Sequence, residues 1–151
     1  MENWPRVDLD PFKDKDQDMC FGCGKANPIG LKLKFSWNAE KKTASADFIP
    51  DERMQGWAGY VHGGITACVL DEAIGWAAMY AGTSNVTAKL QVRYRKMIPV
   101  GGKYVVSARI SKHSSRLIET EAFIQDEYGN IMAEGSSTQF IVSERKDVPQ
   151  K

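Results

Sequence analysis

Charge of one sign is what this sequence lacks first: 20 Lys and Arg stand against 19 Asp and Glu in 151 residues, a net charge of +1. Nucleic-acid binding draws its affinity from neutralising phosphates and normally leaves a large basic excess, so that class is set aside. Cysteine is scarce. Three residues, an odd number, do not make a disulfide framework and fit a reducing compartment. An apolar run is missing from residues 1–19, which hold six acids and three bases, so no secretory leader is expected there. There is no Gly-x-Ser-x-Gly elbow of the serine hydrolases. What remains is ordinary: 42% hydrophobic, 26% charged and 10% aromatic. That is too apolar for a disordered chain, and the length suits one domain. The expectation is a cytoplasmic, soluble, single-domain protein without a membrane span.

Hydrophobic periodicity divides the chain into an N-terminal arm (residues 1–19), a folded domain (20–143) and a polar tail (144–151). Leu31, Leu33, Phe35 and Trp37 alternate with polar residues, the period of a half-buried strand. Thr43–Ile49 returns with Ala44, Ala46 and Phe48 inward, and Pro50 stops it. From Gly63 to Ala81 the chain is apolar on every side, which predicts a buried core helix. Adjacent acids within it exclude a membrane span. Four strand patterns follow: Val86–Tyr94, Tyr104–Ser111, Leu117–Gln125 and Ile131–Val142. In the first of these, Val86, Ala88, Leu90, Val92 and Tyr94 should share one face and Thr87 the other. The order ββαββββ predicts an α+β domain, an antiparallel sheet around one helix.

The chemistry-bearing candidates gather on that helix. Asp71 and Glu72 sit midway along it with no cation at helical spacing. A carboxylate there either reaches solvent, pairs with a sheet arginine, or is a functional acid with a raised pKa. His62-Gly63-Gly64 precedes the helix. Unpaired N–H groups at a helix start, with glycines allowing close approach, suit a developing oxyanion; a tightly packed turn capped by His62 would look the same. Cys20-x-x-Cys23 invites a metal or redox reading, but four cysteine or histidine ligands cannot be assembled for structural zinc. Neither metal nor cofactor is therefore assigned. Arg93, Arg95, Lys96, Lys103, Arg109, Lys112 and Arg116 form a basic set, either a solvated sheet face or a phosphate-binding one. Trp57, Tyr60, Trp76, Met79 and Tyr80 suit an apolar ligand pocket or a core equally.

Taken together, the run from Gly59 through His62-Gly63-Gly64 to Asp71-Glu72 resembles the hotdog-fold acyl-CoA thioesterases, in particular their PaaI-like branch. The opening Cys20-Phe21-Gly22-Cys23-Gly24 through Leu31 is similar to the start of that branch. The resemblance implies hydrolysis of an acyl-CoA thioester, or alternatively a non-catalytic acyl-CoA-binding or regulatory module. It also implies a homodimer or dimer of dimers with shared sites. It assigns Gly63 to polarising the thioester carbonyl and Asp71, from the opposite subunit, to the general base or nucleophile. Thr87 would orient the attacking water and His62 would shape the loop. Gln55 is the nearest match to an Asn or Gln that relatives carry before the motif. Gly64, Glu72, Arg93, Arg95 and Arg116 complete the expected substrate-binding set.

Overall fold

The structure, a computed structural model, describes residues 19–144. The expected arm and tail lie outside the described residues, apart from Met19 and Glu144. Six strands and one helix make up the domain: β1 (Ser36–Asn38), β2 (Thr43–Phe48), α1 (Gly63–Tyr80), β3 (Thr83–Tyr94), β4 (Tyr104–His113), β5 (Leu117–Asp126) and β6 (Ile131–Glu144). A single turn of 3₁₀ helix, Glu52–Met54, interrupts the connection from β2 to α1. All strand pairs are antiparallel, in the order β1-β2-β4-β5-β6-β3. The expected ββαββββ order and α+β class are what the chain adopts.

The core lies between α1 and the sheet face it crosses. Val69, Leu70, Ala73, Ile74 and Ala77 bury one side of the helix completely, against Phe48, Val106, Ala108 and Ile124 from β2, β4 and β5. Each large aliphatic or aromatic side chain so buried contributes about 1.5–3 kcal/mol of transfer free energy. The alanines let helix and sheet approach closely, which is why this helix is rich in small residues. Its other side is covered from the β1 end. Phe35 stacks on Trp76 and Trp37 on Tyr80, with ring centroids 5.7 Å and 5.2 Å apart. Helix α1 ends at Tyr80, and just past the Ala81 cap Gly82 takes a φ of 86°, the left-handed geometry that stops a helix at little cost in glycine.

Two expectations are corrected. The first strand is only three residues long rather than Leu31–Trp37. Leu31 and Leu33 donate their N–H groups to the carbonyls of Phe21 and Gly22 (2.7 and 2.9 Å), so this stretch pairs with the cysteine loop instead of β2. The second correction concerns β3. Its register with β6 slips between Thr87 and Lys89, leaving Ala88 as an extra residue. Such a bulge reverses which side chains face inward. Thr87 pairs with the buried Gln139 and so faces the helix, whereas Val86 pairs with the exposed Phe140 and faces out. Beyond the bulge Leu90 and Val92 face the core, as the alternation predicts.

Candidate active site

The mouth of α1 is built by its own flanking residues. His62 is the N-cap: it accepts the N–H of Gly64 on Nδ1 at 2.9 Å, and its carbonyl accepts Thr66 N–H at 3.0 Å. Gly63 N–H is left without an acceptor among the described residues, at the positive end of an 18-residue helix. The hydroxyl of Tyr94, at the end of β3, donates to the Gly63 carbonyl at 2.9 Å and fixes this turn against the sheet. Upstream, Gln55 accepts Gly59 N–H at 2.9 Å and pairs with Val61, so it braces the loop before the helix.

A cleft of about 410 Å³ opens beside Gly63, lined by Trp57, Tyr60, Tyr94, Arg95 and Lys96 among others. Of the aromatic candidates, Trp57 and Tyr60 are at this cleft, while Trp76 and Tyr80 belong to the stack over the helix. A larger hollow of about 590 Å³ lies by Ala81–Thr83 and His113–Ser115, at the opposite end of the helix from Gly63. None of the candidate acids, glycines or arginines lines it.

Asp71 and Glu72 separate as adjacent helix residues must, about 100° apart. Asp71 is half-buried and accepts the Thr87 hydroxyl at 2.9 Å, across from the β3 bulge. Glu72 has other company. It accepts Trp76 Nε1–H at 3.2 Å, and Cys20 Sγ lies 3.7 Å from both of its carboxylate oxygens. Burial pushes the Glu72 carboxyl above its ordinary range. The Cys20 thiol is lowered to about 5, first by the hydrogen bond from the Cys23 thiol and then by the backbone N–H groups of Cys23 and Gly22; Cys23, the donor, is pushed up. Burial raises Cys68 to about 11. Glu72 thus stands with the cysteine loop and not with Gly63, Gly64 or the cleft.

The basic set divides. Arg95 pairs with Glu134 at 2.7 Å, with Arg93 at 3.8 Å from the same carboxylate, and Arg109 pairs with Glu121 at 3.0 Å. Arg95 and Lys96 border the cleft. Arg116 lies at the other end of the sheet, where its carbonyl accepts Ile141 N–H. Within one chain, then, the structure joins Asp71 to Thr87, and His62, Gly63 and Gly64 to Gln55's loop, as two separate groups. Eight helical residues put about 12 Å of rise between them. Tyr94 escaped the sequence reasoning because only its hydroxyl's reach to Gly63, 31 positions away, marks it out.

An antiparallel sheet wrapped on one helix, with a glycine mouth and a carboxylate two turns inside, defines a hotdog-fold protein. The thioesterase superfamily pattern matches residues 58–133, half of the sequence, and the chain belongs to that superfamily. It is 25% identical over 113 residues to the acyl-coenzyme A thioesterase THEM4 of Xenopus laevis, which covers 75% of this chain and 51% of that protein. The chain therefore spans about half the length of the curated relatives it matches. Among solved structures, a Streptococcus mutans protein bound to acetyl CoA superposes with a TM-score of 0.70 at 16% identity, over 76% of this chain and 91% of that one. The E. coli PaaI protein of the phenylacetic acid degradation operon gives 0.69 at 13% identity, over 76% and 83%. At these identities the superpositions establish the fold alone.

Proposed function

We propose that the chain is an acyl-CoA thioesterase of the PaaI-like kind, acting as a homodimer in which each site draws on both subunits. The observation that carries this reading is the pair of incomplete halves on one helix: an unpaired N–H at Gly63, and an Asp71 carboxylate held by Thr87 about 12 Å further on. Each half lacks what the other has. Joined across a two-fold axis they meet the needs of thioester hydrolysis.

In this mechanism the thioester carbonyl oxygen lies on Gly63 N–H, where the helix start favours developing negative charge. Asp71 of the second subunit takes a proton from water, whose oxygen adds to the carbonyl carbon. The Thr87 hydroxyl, which donates to one Asp71 oxygen, leaves the other oxygen for that water. Collapse breaks the C–S bond, and CoA departs as thiolate, to be protonated from Asp71 or solvent. Attack by Asp71 itself, through an anhydride, uses the same placement. The cleft beside Gly63 takes part of the substrate, and Arg95 and Lys96 at its rim suit the CoA phosphates. Support for the ligand class comes from the acyl-CoA names of the curated relatives and the acetyl CoA of the streptococcal neighbour.

The test is thiol release from a panel of acyl-CoAs. Wild type should turn over at least one member, and Asp71→Asn should lower kcat by roughly two to four orders of magnitude with the fold and oligomer intact. Binding of acyl-CoA without thiol release from any member would leave only a non-catalytic acyl-CoA-binding module.

A further inference from the structure

The hydrolysis reading leaves one built cluster unused. Cys20 and Cys23 stand at the two ends of a turn closed by Gly24 N–H donating to the Cys20 carbonyl at 2.9 Å. Leu31 and Leu33 hold this turn through the carbonyls of Phe21 and Gly22, and Leu33 is anchored in the core. The turn lies directly over Glu72, 52 residues on in the sequence from Cys20. Packing is so close that a Cβ on Gly22 would collide with the Glu72 carboxylate. One sulfur from each cysteine and one Glu72 oxygen all lie within 4.8 Å of one another, and all three residues are half-buried.

Those spacings, which in the metal-free protein are spanned by a hydrogen bond between Cys20 Sγ and the Glu72 carboxyl group, also admit a tetrahedral ion. Tetrahedral zinc bonds of about 2.3 Å to sulfur and about 2.1 Å to oxygen give a ligand-to-ligand edge of roughly 3.6 Å between S and O. The observed Cys20 Sγ to Glu72 oxygen distance is 3.7 Å. The groups immediately around the carboxylate are the two thiols and the Trp76 N–H. Two of three donors are sulfur, which disfavours magnesium and calcium and favours a borderline-soft ion.

We propose that Cys20, Cys23 and Glu72 form a binding site for a thiophilic divalent cation of the zinc class, with water in the fourth position. Binding displaces the proton that Cys23 still holds to solvent as the metal–sulfur bonds form, Cys20 already standing as thiolate near neutral pH. It clamps the 20–33 segment onto the middle of α1 at Glu72, the residue that follows Asp71. Counting cysteines and histidines in the sequence misses the site, because the third ligand is a glutamate brought in by the fold. Cys68, one turn before Glu72, lies outside the three-atom cluster and is not a ligand in this proposal.

The experiment uses the full chain, reduced, freed of metal by a chelator and then titrated with Co²⁺. One equivalent per chain should produce a thiolate-to-cobalt charge-transfer band in the near ultraviolet and strong tetrahedral bands in the visible, and Zn²⁺ should abolish them. Cys68→Ser should keep the spectrum, whereas Cys20→Ser combined with Cys23→Ser should lose it. Because the double variant could misfold, alkylation of wild type provides a second reading: Zn²⁺ should slow modification of Cys20 and Cys23 at least tenfold, scored by mass spectrometry. Absence of the bands in reduced wild type, their survival in the double variant, or equal alkylation with and without Zn²⁺ would each overturn the proposal.

Discussion

At the scale of single residues, the β3 bulge decides which side chain meets Asp71. Were Ala88 paired regularly instead of bulged out, the alternation would keep Thr87 on the outer face with Lys89, out of reach of the helix. With the bulge, the hydroxyl lies 2.9 Å from Asp71 Oδ1. That contact fixes one carboxylate oxygen as an acceptor and so orients the other. Thr87→Ala should therefore cost about tenfold in kcat with little change in KM, since one hydrogen bond to a charged group is worth roughly 1.5–3 kcal/mol and water replaces part of it. Thr87→Ser should recover most of the loss. A Ser variant as poor as the Ala variant would mean that the methyl group, not the hydroxyl, matters. Adjacent Glu72 has no part in this contact, and the roughly 100° between neighbouring helix positions accounts for two such different surroundings.

At the scale of elements, the β5–β6 turn shows how a loop's own side chain sets its stability. Asp126 accepts the N–H groups of Tyr128 and Asn130 at 3.0 and 2.8 Å, and the Asn130 side-chain amide at 2.8 Å. The Asn130 side chain above all, then the two backbone groups and Lys96, hold its carboxyl below the usual range. A depressed folded pKa means the contribution is present above the unfolded value of about 3.9 and is lost as pH falls through the folded one. Asp126→Asn should thus lower Tm at pH 6, and the gap to wild type should close below pH 4; a gap that stays constant down to pH 2 would assign the loss to shape and not charge. The elements themselves were largely legible from period: α1, β2, β4, β5 and β6 follow their hydrophobic patterns to within a few residues. Two features escaped, for one reason. The shortening of β1 and the inversion at Thr87 both depend on which neighbour a strand pairs with, and periodicity along one chain does not encode that. The site divides likewise. His62, Gly63 and Asp71 stand out as candidates from their spacing at and along one helix, whereas the contacts of Tyr94 with Gly63 and of Cys20 with Glu72 arise only across strands and loops.

At the scale of the whole molecule, β3 is the feature that asks for a partner. It is a 12-residue strand at the sheet edge, and its exposed side chains include Val86 and Tyr94, 39% and 55% accessible. Long edges of this kind are closed in native proteins, and an antiparallel pairing with the same strand of a second copy closes two at once. Discounting Ala88, Thr87 and Tyr94 stand equally far from Gln91. In the proposed homodimer, a two-fold axis at Gln91 would lay Thr87 of one copy opposite Tyr94 of the other. Since Thr87 holds Asp71 and Tyr94 holds Gly63, this register would bring the two half-sites together. The consequence is measurable by mixing. Asp71→Asn chains and Gly63→Leu chains should each be inactive alone, but a heterodimer of the two would keep one intact Gly63 facing one intact Asp71. Random reassociation of equal amounts makes roughly half the dimers mixed, each with one good site, so activity should return to about a quarter of wild type. If mixing, after unfolding and refolding together, restores nothing while sedimentation shows dimers, each site lies within one chain and the register at Gln91 is wrong.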